Sequence, residues 1–291
     1  LNYDYPLYRP PSEAYSLILQ VTIGCSHNAC TFCTMYKQKR FRQKDWPEIS
    51  ELINTASQEY PRTKRIFLAD GNALALPTET LVKTLKLLYE NFPSLERVSI
   101  YGGPKDILSK TSAELETLYQ EGLGLVYLGI ESGSEKILKL VNKGVSPLEM
   151  IEAGQKVKKS GLQLSATIIS GLGGKELWEE HALETARVAS EINPHYLASL
   201  TLLLEEGAPL LRKIKEGRFI FLTPWETLRE LYLLMQHVNL DKCIYRANHV
   251  SNYFSLAGVL NQERNLILQK LEYYLSRADI KALPVDYNRM L

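Results

Sequence analysis

Three cysteines fall within nine consecutive positions, in the run Gly24-Cys25-Ser26-His27-Asn28-Ala29-Cys30-Thr31-Phe32-Cys33. The spacing is C-x4-C-x2-C. Cysteines this dense in a reducing compartment are metal ligands or redox groups, because disulfides are rare there. Structural zinc takes four ligands, and the fourth cysteine, Cys243, is 210 positions past Cys33. His27 is two residues from Cys25, tighter than the usual finger spacings. A redox pair of Cys30 and Cys33 would leave Cys25 without a purpose. Three thiolates on one loop suit an iron–sulfur cluster with one iron left open. Cys243 alone cannot hold a second cluster and reads as a small buried apolar residue.

The remaining composition is that of an ordinary soluble protein. The chain has 291 residues, 45% hydrophobic and 23% charged, with 34 basic against 33 acidic side chains. That excludes disorder, collagen and a disulfide scaffold. A net charge of +1 gives no global argument for nucleic acid, which favours a strongly basic domain. No apolar run approaches the 18 residues of a membrane helix. The N-terminal stretch, with Asp4 and three prolines, lacks the basic start and apolar centre of a secretory signal. The expected compartment is therefore the cytoplasm.

The loop must be positioned by the elements around it. Apolar, β-rich runs at 16–23, 64–69, 97–101, 125–130, 163–169 and 195–203 recur at roughly 30-residue intervals, the length of a βαβ unit. Helical patterns lie between them. Thr111 with Glu114, Ser146 with Glu149 and Thr223 with Glu226 have capping-box spacing. Pro77 begins another helix, and further helices fall near 46–59 and 175–191. Regular alternation means a parallel sheet. Six β-α units are fewer than the eight of a closed barrel. The expected fold is α/β, a partial, open (β/α)6 TIM-like barrel. Residues 1–217 form its core, and 218–291 form a mostly helical C-terminal segment closing the barrel against substrate. Such barrels place chemistry at the C-terminal ends of their strands, and the cysteine loop begins just past the first.

The cysteine loop resembles that of the radical S-adenosylmethionine (radical SAM) superfamily. There the usual spacing is C-x3-C-x2-C with an aromatic residue before the last cysteine, the place of Phe32. This loop carries one extra residue. The likeness covers about residues 15–215 and is nearest to the coproporphyrinogen dehydrogenase and methylthiotransferase branch. Tyr127-Leu128-Gly129-Ile130-Glu131-Ser132-Gly133-Ser134 is similar to that branch's fourth strand, and Asn142-Lys143-Gly144 follows as it does there. Ile168-Ile169-Ser170-Gly171-Leu172-Gly173-Gly174 resembles its I-x-G-L-P-G pattern, with Gly173 in place of Pro. Glu206-Gly207-Ala208-Pro209-Leu210 resembles a P-G-T-P-L turn.

The resemblance implies a 4Fe-4S cluster on Cys25, Cys30 and Cys33, with S-adenosylmethionine at the open iron. It implies reductive cleavage to a 5′-deoxyadenosyl radical that takes hydrogen from a small-molecule substrate. Asp70-Gly71-Asn72 falls where the family's Gly-rich motif receives the methionine amino group, with Asn72 where an acid is common. Glu131 and Thr167 would meet the ribose, Lys143 the methionine carboxylate, and Ile169 the adenine. Ser99 and Tyr101 end the third strand, facing cofactor or substrate. A tRNA- or rRNA-modifying enzyme is the second reading. A non-catalytic iron–sulfur or zinc module is the third.

Two features stand outside the resemblance. Lys37, Lys39, Arg40, Arg42 and Lys44 place five cations just after the cluster loop, either a solvated face or a dock for a flavodoxin- or ferredoxin-like electron donor. Arg246, Asn248, His249 and Asn252 lie in a polar stretch of the C-terminal segment and are candidate substrate contacts.

Overall fold

The computed structural model describes residues 1–277 and residue 279. Strand β1 (Leu17–Gln20) and the short β2 (Thr22–Ile23) stand where one strand over 16–23 was expected. The break falls at Val21, whose N–H donates to the Ala69 carbonyl at 2.6 Å while its carbonyl accepts from Lys44 at 3.1 Å. Strand β2 then pairs antiparallel with β3 (Arg42–Gln43). Helix α1 (Trp46–Glu59) follows, then β4 (Arg65–Ala69), α2 (Thr78–Asn91) and β5 (Arg97–Tyr101). Next come α3 (Pro104–Ser109), α4 (Ser112–Gln120), β6 (Leu123–Glu131), α5 (Glu135–Leu140) and α6 (Pro147–Lys159). The chain continues through β7 (Gln163–Ser170), α7 (Gly174–Ile192), β8 (Tyr196–Thr201), α8 (Leu210–Lys215) and α9 (Pro224–His237). It ends with β9 (Cys243–Ala247), β10 (Leu256–Leu260) and α10 (Arg264–Leu275).

The capping boxes form as the spacing requires. Thr111 and Thr223 each accept from the N–H three residues on, at 3.2 Å, and the glutamates there reach back to the cap N–H. Ser146 and Glu149 do the same for α6. Each box satisfies N–H groups that a helix start otherwise leaves bare.

The chain divides into two compact units. The first comprises residues 1–28, 35–128 and 156–164, and the second 29–34, 129–155 and 165 onward. In the first unit β1, β4, β5 and β6 pair in parallel in that order. In the second, β7, β8 and β9 are parallel neighbours and β10 lies antiparallel to β9. The strands of each unit are mostly parallel, with β1 at an end of the first unit's set and β10 at an end of the second's. No helix among the described residues is long and apolar enough to cross a membrane.

The C-terminal segment carries the helices expected, α9 and α10, and adds two short strands that were not expected. Beyond Gly217, α9 leads into β9, which pairs with β8, so the β-α alternation continues for one more unit. Strand β9 is five residues long and buries only Cys243, Tyr245 and Ala247. So short a run carries little signal of its own; the edge of β8 supplies the hydrogen bonds that make it a strand.

Helices α7 and α9 pack together, and a buried polar group joins them to the end of β7. His181 donates through Nε2 to the Ile169 carbonyl at 2.9 Å. Its Nδ1 therefore accepts, from the Ser132 hydroxyl at 2.8 Å and from Thr185 at 3.1 Å. Glu230 accepts from the Gly171 N–H at 2.8 Å and approaches His181 to 3.9 Å. Burial pushes Glu230 up from 4.5 to about 8 and His181 down from 6.5 to about 4, so at neutral pH both are predominantly uncharged. The Glu230 contribution is complete below pH 4.5 and is lost as pH rises to 8. The His181 contribution is complete above pH 6.5 and is lost as pH falls through 4. Between pH 6.5 and 8 Glu230 alone of the two governs the slope. Urea midpoints should fall across that window in the natural chain. The fall should be absent in Glu230→Gln; an unchanged slope in the variant would show that another group governs it.

Candidate functional site

The start of the cysteine loop is built by the first unit, to which Cys25 belongs. The carboxylate of Asp70 is fully buried, and its Oδ2 collects three donors. They are the Gln20 amide at 3.1 Å, the Gly24 N–H at 3.1 Å and Lys39 Nζ at 3.0 Å. The Asp70 N–H donates in turn to Thr22 Oγ1 at 3.1 Å. Asp70 thus fixes the residue just before Cys25, where the chain turns through a positive φ of 74° at Gly24. The other oxygen, Oδ1, is buried and has no hydrogen-bond partner.

Gly71 has a packing reason to be glycine. A Cβ there would come within 2.4 Å of the Tyr36 ring. Asn72 is buried and joins three segments. Its amide donates to Ser26 Oγ at 2.6 Å and to the Asp106 carboxylate, and its oxygen accepts from the Gly103 N–H at 2.8 Å. Asp106 and Ser26, which the sequence did not mark, also bond to each other at 3.2 Å. No local pattern signals such a pair, because they are 80 positions apart. Ser99 is fully buried with its hydroxyl unpartnered. Tyr101 packs edge-on against Phe67 and Tyr127, with ring centroids 4.9 and 6.0 Å away.

The five cations after the loop do not form one exposed patch. Lys39 is buried, its side chain 4% exposed, between Asp70 and Asp4. Arg42 forks onto Glu48 at 2.6 and 3.0 Å. Lys44 is half-buried, and that burial lowers its pKa. Lys37 and Arg40 remain exposed, with Lys37 bonded to the Asn28 carbonyl at 2.6 Å. A run of like charges is legible in sequence; the acids that neutralise it are not.

Cys30, Phe32 and Cys33 belong to the second unit. The Thr31 N–H donates to the Val141 carbonyl at 2.9 Å, and the Thr31 carbonyl accepts from Leu210 at 2.9 Å. Asn142 donates to the Ala29 carbonyl at 3.2 Å, and Thr34 bonds to the Glu205 carboxylate. Phe32, expected beside the cofactor, packs against an apolar group containing Ile137, Val141, Leu172 and Leu204. All three loop cysteines are half-buried, whereas Cys243 is buried.

Glu131 and Lys143, two residues named from the sequence, meet. Lys143 Nζ lies 3.0 Å from Glu131 Oε1, with the side chains 11% and 12% exposed. Glu131 adopts a positive φ of 64° at the end of β6. Gly129 makes room for the pair, since a Cβ there would fall 2.0 Å from Glu131 Oε1. Along β7, Thr167 and Ile169 are half-buried while Ala166, Ile168 and Ser170 are buried, so the first two share the more open face. Ile169 also packs against the apolar group that holds Phe32.

The C-terminal candidates separate. Asn252 is committed to β8, accepting from Thr201 Oγ1 at 2.9 Å and donating to the Ser199 carbonyl at 2.8 Å. It pins the β9–β10 connection and is not presented outward. His249 is half-buried, with Nδ1 accepting from the Ser251 N–H at 3.1 Å, and burial lowers its pKa. Asn248 and Arg246 are exposed.

Among the described residues no three His, Cys, Asp or Glu side chains gather closely enough to hold a single metal ion. A four-iron cluster distributes its thiolates over separate irons, so the donor set of three half-buried thiols fits a cluster of that kind. The Lys39–Asp70 pair should govern the stability of the loop's anchor. Removing one partner of a buried ion pair leaves the other charge unpaired, at a cost of about 3–5 kcal/mol. Lys39→Met should lower the urea midpoint accordingly; Lys37→Met, on the exposed side, should leave it unchanged.

Comparison with known proteins bears on the family and the fold. The model of the radical SAM superfamily matches residues 19–187. A protein of Methanocaldococcus jannaschii provisionally named a methylthiotransferase is 26% identical over 267 residues, 83% of this chain and 58% of that protein. The tRNA-2-methylthio-N(6)-dimethylallyladenosine synthase of Clostridium botulinum is 28% identical over 215 residues, 69% of this chain and 45% of that enzyme. The chain therefore spans about half the length of these two relatives. Among solved structures, coproporphyrinogen III oxidase from Escherichia coli superposes with a TM-score of 0.58 at 20% identity, over 74% of this chain and 50% of that one. Methylornithine synthase gives 0.54 at 17% identity, over 92% of this chain and 85% of that one. These likenesses show a shared fold. With more than half of its length matched by the family model, the chain belongs to the radical SAM superfamily and is an enzyme whose cofactors are a 4Fe-4S cluster and S-adenosylmethionine.

Proposed function

We propose that Cys25, Cys30 and Cys33 hold the cluster and that this cytoplasmic enzyme abstracts hydrogen from a small-molecule substrate. When bound, the cluster supplies the electron that breaks a carbon–sulfur bond of S-adenosylmethionine, releasing a 5′-deoxyadenosyl radical. The residues of the chain hold and orient what reacts. Asp70 Oδ1, buried and without a donor, is an acceptor of the kind the methionine ammonium requires, beside Gly71 and Asn72. Lys143 would hold the methionine carboxylate, and Glu131 a ribose hydroxyl. Thr167 and Ile169 would line the nucleoside from the open face of β7. Ser99 and Tyr101, at the end of β5, and Phe32, in the cysteine loop, would be further contacts to cofactor or substrate.

The observation that carries the reading is the pairing of Glu131 with Lys143 at 3.0 Å, two residues 12 positions apart that the family pattern names independently. RNA modification, the second reading, draws on the likeness to the Clostridium enzyme. The burial and pairing of three of the five loop cations weigh against it. Lys37 and Arg40 are exposed cations available to an acidic electron donor of the flavodoxin or ferredoxin type, whereas Arg42, also exposed, is forked onto Glu48.

Anaerobically reconstituted protein should bind about four irons and form 5′-deoxyadenosine from S-adenosylmethionine with dithionite. Alanine at Cys25, Cys30 or Cys33 should abolish both. Lys143→Ala should raise the KM for S-adenosylmethionine by about tenfold, the loss of one charge-assisted bond of roughly 1.5 kcal/mol. Full cleavage by any of the cysteine variants would end the proposal.

A further inference from the structure

The registers of the second unit set Arg246 apart from the rest of the polar C-terminal stretch. In β7, β8 and β9, Thr167 stands opposite Ala198, and Ala198 opposite Arg246. Across the antiparallel edge, Arg246 stands opposite Ala257. Residues opposite one another in adjacent strands project to the same face of a sheet. The row Thr167, Ala198, Arg246, Ala257 therefore crosses four strands on one face. It is the open face of β7, shared with Ile169, because Ile169 follows Thr167 by two. The alternate residues Leu197, Tyr245 and Ala247 are buried on the other side.

On that open face Arg246 has unusual surroundings. Its neighbours on both strands are alanines, too short to cover it. Its guanidinium donates to the Tyr245 carbonyl at 2.9 Å, and among the described residues no carboxylate forms an ion pair with it. An exposed guanidinium on the face of a surface helix would be ordinary. One on a sheet face, flanked by alanines in the row of Thr167, keeps donors beyond the one given to the Tyr245 carbonyl. Adjacent strands lie about 4.8 Å apart, so Thr167 and Arg246 are separated by roughly 10 Å. That gap, floored by Ala198, has the width of a small metabolite.

We propose that Arg246 recognises a carboxylate of the substrate. The inference rests on the reading of Thr167 and Ile169 as the nucleoside side of the site and extends it to the substrate. A carboxylate is favoured over a phosphate because a lone guanidinium fork matches a carboxylate's two oxygens. Phosphate sites usually add further cations or a helix start, and neither Ala198 nor Ala257 supplies one. Of the four candidates in this stretch, Asn252 is spent on β8 and His249 is turned to Ser251. Arg246 is the one with uncommitted donors on the face of Thr167.

Glutarate, as a probe carboxylate, and inorganic phosphate would be titrated separately against the reconstituted protein with S-adenosylmethionine present and no reductant. Thermal shift would be the readout. Phenylglyoxal labelling of Arg246, mapped by mass spectrometry, would be the second. Glutarate should raise the melting temperature of the natural chain and protect Arg246 from labelling. Arg246→Gln should weaken glutarate binding at least tenfold, and Arg246→Lys, which keeps the charge but not the fork, should weaken it measurably. Arg62→Gln, an equal loss of charge in the first unit, should bind as the natural chain does. Glutarate binding unaltered by Arg246→Gln would overturn the proposal. So would tighter binding of phosphate than of glutarate, or absence of glutarate protection. Formation of 5′-deoxyadenosine by the natural chain is measured apart from these titrations. Its loss would refute the parent reading alone, and a failed titration with cleavage intact would refute this one.

Discussion

A carboxylate buried with a lysine anchors the loop on which the chemistry depends. Asp70 is removed from water at the end of β4, a position that costs several kcal/mol for an uncompensated charge. Lys39, Gln20 and the Gly24 N–H compensate it. Each of these donors comes from a different place: one strand, one loop start and the segment after the cysteines. The bond to Gly24 means that the charge cannot be satisfied unless the backbone just before Cys25 is in place. A network of this kind is costly when incomplete and rigid when complete. It holds the backbone at the start of the cysteine loop in one arrangement.

The second unit treats its own part of the loop differently. Thr31 is held by backbone bonds to Val141 and Leu210, and Phe32 is held by apolar packing. No buried charge is involved. Backbone bonds to helix ends satisfy groups that would otherwise need water, so the end of α5 and the start of α8 are tied off by the loop they position. The Glu131–Lys143 pair then lies at the end of β6, kept apart from bulk water and given room by Gly129. Cofactor chemistry of this class needs placement and exclusion of water more than it needs protein acids and bases.

Much of the fold was legible because parallel β-α units repeat at a fixed length and their helices begin with capping boxes. The runs at 97–101 and 46–59 fall on the observed β5 and α1 residue for residue. Strands β9 and β10 were not legible, since short edge segments take their identity from a neighbouring strand. Among the site residues, Glu131 and Lys143 were each named from motif order, for different parts of the cofactor; that they pair with one another was not legible. Nor were the roles of Lys39, Asn252 and Phe32. A buried lysine and an exposed one have the same letter, and the acid that separates them, Asp70, lies 31 positions away.

The sequence by itself determined the parallel architecture and the cofactor class, and it marked the three cysteines proposed as cluster ligands, because these are encoded in local spacing and in a periodic pattern. Tertiary structure alone decided which polar residues are spent on holding the loop and which remain for a ligand. It buried Lys39 and paired Arg42. It committed Asn252 to β8 and left Arg246 on the open face of β9. The physical reason is that desolvation and strand register depend on neighbours brought from far along the chain. Spacing in one dimension contains neither.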